Sequence, residues 1–129
     1  MEQNEFAQFK ALVAEDNDFV RYMVKKYLVE FGFGEVYEVN DGFEGINLLS
    51  EKSIDIVVCD INMSPIDGFE FLKHVRRLEE PLKSMPIIFL TSHSDEAFVQ
   101  KAMALNIDAY LLKPIVSRSL RSKVTQLLL

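Results

Sequence analysis

Hydrophobic and polar positions change period repeatedly along the chain. "KALVAED" is a short apolar run, and beyond it Val20, Met23, Val24, Tyr27, Leu28 and Phe31 recur at spacings of three and four. This predicts a strand followed by an amphipathic helix. Gly32 and Gly34 stop the helix, "EVYEVN" alternates with period two, and "DGFEGINLLSEK" returns to helical spacing with Phe43, Ile46 and Leu49 inward. "IDIVVCD" reads as a third strand. "GFEFLKHVRRLEE" follows as a helix with Phe71, Leu72, Val75 and Leu78 on one face, ended by Pro81. "MPIIFLTS" leads into "DEAFVQKAMALN", and "DAYLLKP" into a last helix carrying Val116, Leu120, Val124 and Leu127.

Five strands thus alternate strictly with five helices. Such alternation requires right-handed crossovers and a parallel sheet covered on both faces, which also explains strands that are apolar throughout. The fold class is α/β, a doubly wound five-stranded parallel sheet. "DGFE" occurs at 41–44 and again at 67–70, each time at a helix start. An Asp N-cap with Glu three places on makes a capping box, so two helices reach the same four letters independently.

Composition narrows the function. A chain of 129 residues is about one domain long, and 49% hydrophobic with 26% charged residues is a globular balance. Fourteen Lys and Arg against 20 Asp and Glu give a net charge of −6, which disfavours direct nucleic-acid binding. The single cysteine, Cys59, lies inside an apolar run, which fits a structural thiol in a reducing compartment. The N-terminus is acidic and mixed, and no apolar stretch approaches the ~20 residues of a membrane span. A cytoplasmic location without membrane contact is therefore expected.

The third strand ends on a carboxylate, Asp60. In open α/β sheets, ligands sit at the carboxyl ends of the strands, where strand order reverses. The polar residues there are Glu15 and Asp16 after the first strand, Asp60 on the third, Thr91 and Ser92 after the fourth, and Lys113 before Pro114. With sheet order 2-1-3-4-5, strands one and three are neighbours, and three carboxylates meet. Mutual repulsion raises at least one pKa in such a cluster unless a cation compensates. Hard oxygen donors with positions left for water and phosphate suit Mg²⁺, with Mn²⁺ as a substitute. Lys113 supplies further positive charge, and a carboxylate facing a metal and a lysine can attack phosphorus. Asp60 is best placed to do so. Taken singly, each residue has a plainer role: Asp60 as a turn former, Glu15 and Asp16 as helix caps, Thr91 bonded to a neighbouring backbone group, Lys113 as a solvated strand end. Their coincidence at four of five strand ends favours a site.

"LVAED", "VVCDINMSPIDGFE", "IIFLTS" and "DAYLLKP", in that order, resemble the receiver domain of bacterial response regulators, with its flavodoxin-like fold, across nearly the whole chain. The pattern is similar to that of the stand-alone chemotaxis-type receivers. Residues 1–9 read as an N-terminal extension and 10–129 as the receiver. The resemblance implies that Asp60 takes the phosphoryl group and that Asp16, Asp60 and the backbone carbonyl of Asn62 ligate Mg²⁺, with Glu15 acting mostly through water. It further implies that Lys113 pairs with the phosphorylated carboxylate, Thr91 moves toward the phosphoryl oxygen, Tyr110 swings inward behind it, and Lys113–Pro114 is cis. The implied partners are a sensor histidine kinase or histidine phosphotransfer protein and a downstream output domain or target, which reads the face of the fourth helix, fifth strand and fifth helix. Such a protein catalyses its own phosphorylation and dephosphorylation without being a conventional enzyme.

Glu-Asp stands where Asp-Asp is commoner, and Pro65 falls one place later than usual, leaving Ser64 at the loop position where proline is common. Asn62 and His93, two places beyond Asp60 and Thr91, are the family's positions for tuning phosphoryl lifetime; His93 equally suits a solvated loop. His74 is assigned no chemistry. A haloacid-dehalogenase-like phosphatase would carry a second Asp where this chain has Asn62, and a flavodoxin-like cofactor binder would need a phosphate-cradling loop where this chain has "AEDND". A receiver-like module that is never phosphorylated is disfavoured by the intact acid, hydroxyl and lysine set. Ending on "LLL" without a capping residue points toward a piece of a longer regulator, although a docked apolar helix end reads the same.

Overall fold

The computed structural model describes residues 4–92 and 96–129. Strands β1 (Lys10–Ala14), β2 (Glu35–Val39), β3 (Ile56–Asp60), β4 (Ile87–Thr91) and β5 (Ala109–Leu112) form one parallel sheet in the order β2-β1-β3-β4-β5. Helices α1 (Asp18–Phe31), α2 (Gly42–Glu51), α3 (Gly68–Arg76) and α4 (Glu96–Ala104) fill the four crossovers, and α5 (Ser117–Leu128) follows β5. The expected class and strand order are both present.

Successive strand residues point to opposite faces, and the core divides accordingly. Leu12, Ala14, Val57, Cys59, Ile87 and Phe89 face one apolar layer, which α2 and α3 complete through Leu49, Phe71, Leu72 and Val75. Ala11, Val13, Ile56, Val58, Ile88 and Leu90 face the other, closed by Val24 and Leu28 of α1 and Leu120 and Val124 of α5. Double-sided burial is why β1, β3 and β4 lack polar alternation. Ahead of β1, Phe6 is buried in the second layer and stacks on Phe33, ring centroids 5.1 Å apart. Among the described residues, no helix is long and apolar enough to cross a membrane.

Caps set the helix starts. Asn17, rather than Glu15 or Asp16, caps α1, its side chain accepting from the Val20 amide at 2.9 Å. Gly32 ends that helix at φ 107°, the left-handed region a Cβ penalises, and its N–H donates to the Leu28 and Val29 carbonyls. Asp67 and Glu70 form a complete capping box on α3. The "DGFE" at 41–44 differs: the Asp41 side chain accepts from the Glu44 amide, but the Glu44 carboxylate accepts from the Asn40 amide instead of that of Asp41.

Three expected details are corrected. Phe43 is 55% exposed, because it follows the N-cap by two places, outside the stripe that Gly45 and Leu49 bury. Val116 is also exposed, since it occupies the N-cap of α5 and the buried face begins at Leu120. Helix α3 stops at Arg76 rather than running to Glu80. The amides of Arg77 and Leu78 already bond three residues back, and Pro81 has no N–H to extend the helix and disfavours helical backbone at Glu80. Lys113–Pro114 is cis, as are Ser64–Pro65 and Glu80–Pro81.

Candidate functional site

Parallel register brings the polar strand ends together. Ala14 of β1 is level with Cys59 of β3, so the next residues, Glu15 and Asp60, emerge side by side. On the other side of β3, Asp60 is level with Leu90, and Thr91 follows at the end of β4. The Lys113 amide donates to the Thr91 carbonyl at 2.8 Å, which holds the lysine at the same end of the sheet. The ends of four neighbouring strands, β1, β3, β4 and β5, thus deliver Glu15, Asp16, Asp60, Thr91 and Lys113 to one place.

Glu15, Asp16 and Asp60 each offer one carboxylate oxygen, and these oxygens lie within 4.8 Å of one another. Their environments differ. Glu15 is 0% exposed and Asp60 3%, whereas Asp16 is open to solvent. Lys113 Nζ stands 3.1 Å from Glu15 Oε1 and 3.4 Å from Asp60 Oδ1. These are ion pairs by distance but are not aligned as hydrogen bonds, so both oxygens are buried with no hydrogen-bond donor aimed at them. Such oxygens are costly to leave bare and are suited to a cation.

Burial pushes the Glu15 carboxyl from 4.5 up to about 7, against a lowering bond from the Asn17 amide and with further raising from the Asp60 charge. Burial works to lower the Lys113 ammonium, but the charges of Asp60 and Glu15 and the contacts with both carboxylates outweigh it, and its pKa is raised above the ordinary lysine value. The lysine therefore stays charged at neutral pH. Three acids against one ammonium leave the cluster short of positive charge. Hard carboxylate oxygens at this separation could hold a divalent cation of the Mg²⁺ type.

Of the other predicted residues, Thr91 is buried beside the cluster, Asn62 lies two places along the exposed loop that leaves β3, and Tyr110 is 40% exposed on β5. Tyr110 faces outward, away from the buried position the resemblance implies for a swung-in ring. Met63 is buried as packing, and His74 is exposed on α3. His93 lies outside the described residues.

Two further residues, Gly68 and Arg21, shape the site without a recognisable sequence pattern. Gly68 opens α3 against the site: a Cβ there would sit 2.8 Å from the Asp60 carbonyl oxygen and 2.8 Å from Ile61 Cα. Its amide donates to the Ile61 carbonyl at 2.8 Å. The only sequence signal was its place after a capping Asp. Arg21, one turn into α1, donates from Nη1 to the Glu15 carbonyl at 2.8 Å. A basic residue six places beyond a glutamate is not a recognisable pattern until the loop is folded.

Residues 11–125 match the family described as response regulator receiver domain. The chemotaxis protein CheY-3 of Vibrio cholerae is 30% identical over 118 residues, covering 92% of this chain and 90% of the relative. A chemotaxis protein CheY homolog of Campylobacter jejuni is 31% identical over 120 residues, 92% of both chains. Among solved structures, CheY4 of Vibrio cholerae, crystallised at low pH, superposes with a TM-score of 0.85 at 29% identity, covering 94% of this chain and 99% of its own.

Proposed function

This chain belongs to the response regulator receiver domain family of two-component phosphorylation-dependent signalling, and from that premise we propose that it is switched by phosphorylation of Asp60. The observation that carries the reading is the buried Asp60 carboxylate, 3.4 Å from Lys113 Nζ and within 4.8 Å of the Glu15 and Asp16 oxygens.

The donor set and its orphaned buried oxygens fit a hard divalent cation, so Glu15, Asp16 and Asp60 would hold Mg²⁺ together with the Asn62 carbonyl. When bound, Mg²⁺ supplies the positive charge that lets an anionic phosphoryl group approach three carboxylates. Asp60 then acts as the nucleophile: an oxygen–phosphorus bond forms as the nitrogen–phosphorus bond of a donor phosphohistidine breaks, and the freed imidazole takes up a proton. The donor is a sensor histidine kinase or histidine phosphotransfer protein. Lys113, already charged and held by the Thr91 carbonyl, pairs with the transferred group. The Thr91 hydroxyl donates to a phosphoryl oxygen, and Tyr110 leaves its exposed position to fill the space behind.

That rearrangement reaches the surface formed by α4, β5 and α5. A concavity of about 550 Å³ lies there, lined by Met103, Tyr110, Leu112 and Val116, all exposed. Exposed apolar side chains around a residue that changes rotamer suit a downstream partner that reads the switch. Beryllofluoride with Mg²⁺ tests the reading. Nuclear magnetic resonance shifts are expected at Thr91, Tyr110 and the surrounding face, and are lost in Asp60→Asn; an unresponsive wild type contradicts it.

A further inference from the structure

Three carboxylates that repel one another are held within reach of a single lysine, and the strand ends alone do not explain what fixes the loop bearing two of them. The Glu15 amide donates to the Val39 carbonyl at 3.1 Å, and the Asn17 amide donates back to Glu15 Oε2 at 3.1 Å. The remaining grip comes from Arg21, whose side chain is only 16% exposed. Its Nη1 donates to the Glu15 carbonyl at 2.8 Å, its Nη2 to Asp18 Oδ1 at 2.6 Å, and its Nε lies 3.5 Å from Glu38 Oε1 on β2. Lys25 Nζ holds the other oxygen of Glu38 at 3.0 Å.

Resting on the Mg²⁺-dependent reading above, we infer that Arg21 is a positioning residue for the acidic pair: its fork clamps the Glu15 carbonyl to α1 and β2 and thereby sets where the Glu15 and Asp16 carboxylates meet the cation. The division of labour follows from the contacts. The guanidinium charge is met by Asp18 and Glu38, which stand outside the three-carboxylate cluster, so Arg21 grips the loop through its main chain and leaves the cluster acids for the cation. Lys113 does the reverse, touching the carboxylates and contributing charge. A planar five-donor fork suits three acceptors in different directions, and an ammonium does not.

Charge and geometry make opposite predictions here. A cation close to a metal site repels the metal, so on charge alone removing Arg21 tightens Mg²⁺ binding. Removing a positioning group weakens it, and groups that orient metal ligands typically contribute about 10- to 100-fold in affinity. The experiment is calorimetric titration of the full chain with Mg²⁺, alongside amide hydrogen exchange in metal-free buffer. Arg21→Gln is expected to weaken Mg²⁺ binding by about tenfold or more, Arg21→Lys to restore little of it, and exchange to quicken at Asn17 while Val58 in β3 stays protected. Should Arg21→Gln melt below the assay temperature, Arg21→Lys carries the same test. Mg²⁺ affinity equal to or tighter than wild type overturns the inference. So does weaker binding accompanied by equally faster exchange across the sheet, which marks general destabilisation. Wild type that takes up no Mg²⁺ defeats instead the reading of the site on which the inference rests.

Discussion

Lys113 Nζ lies 3.1 Å from Glu15 Oε1 while standing 3.4 Å from Asp60 Oδ1, so one ammonium serves two buried carboxylates from neighbouring strands. The pairing leaves negative charge over, and Glu15 relieves it by holding a proton: burial first, then the Asp60 charge, pushes its carboxyl from 4.5 up to about 7.

The pH dependence of metal-free stability follows. Between pH 4.5 and about 7 the folded protein binds a proton at Glu15 that the unfolded chain has released. Stability therefore falls as pH rises through that window, by roughly 3 kcal/mol at most from this group. Mg²⁺ competes with the same proton. Thermal melts are expected to show a larger Mg²⁺-induced rise in Tm at pH 8 than at pH 5.5; an equal rise at both contradicts the assignment.

Gly68→Ala is expected to damage the site through the backbone. Its Cβ would fall 2.8 Å from both the Asp60 carbonyl oxygen and Ile61 Cα, and neither is a flexible side-chain end. Overpacking of this kind costs about 1–3 kcal/mol. Denaturant unfolding should register that loss together with weaker Mg²⁺ binding, because the strain is relieved by moving the strand end that carries Asp60.

At the opposite end of the sheet, Arg76 joins three segments: its guanidinium donates to the carbonyls of Lys83, Met85 and Asn106 and to Asp108 Oδ2, which also accepts from the Ile87 amide. Removing it strands several acceptors, and Arg76→Met is expected to lose about 2–4 kcal/mol in urea unfolding. Phosphorylation of the remaining folded protein should be unchanged, since the clamp lies away from the acidic cluster.

Cys59 precedes Asp60 but is fully enclosed, and burial first, then the charges of Asp60 and Glu15, push its thiol pKa well above the ordinary value. A protonated, enclosed thiol is a poor nucleophile. Mass spectrometry after treatment with a maleimide is expected to find Cys59 unmodified in native buffer and modified in denaturant.

The fold was legible because its signals are local and periodic. Glu15, Asp16, Asp60, Thr91 and Lys113 were legible because a parallel sheet puts every strand's carboxyl end on one side. What the sequence withheld depends on three-dimensional closure. That Glu15 is enclosed and Asp16 open, although they are adjacent, is decided only when the strand ends pack together. The early end of α3 depends on the Arg77 and Leu78 amides turning back three residues, to the His74 and Val75 carbonyls, ahead of Pro81. Phe43 obeyed helical spacing, yet it sits too near the helix start to reach the core.

Phosphorylation of Asp60 is best measured by intact-mass spectrometry after incubation with acetyl phosphate and Mg²⁺. One phosphoryl mass is expected on the wild type, absent when Mg²⁺ is chelated and absent in Asp60→Asn. A wild type that gains no mass, or an Asp60→Asn protein that gains it equally, contradicts the account.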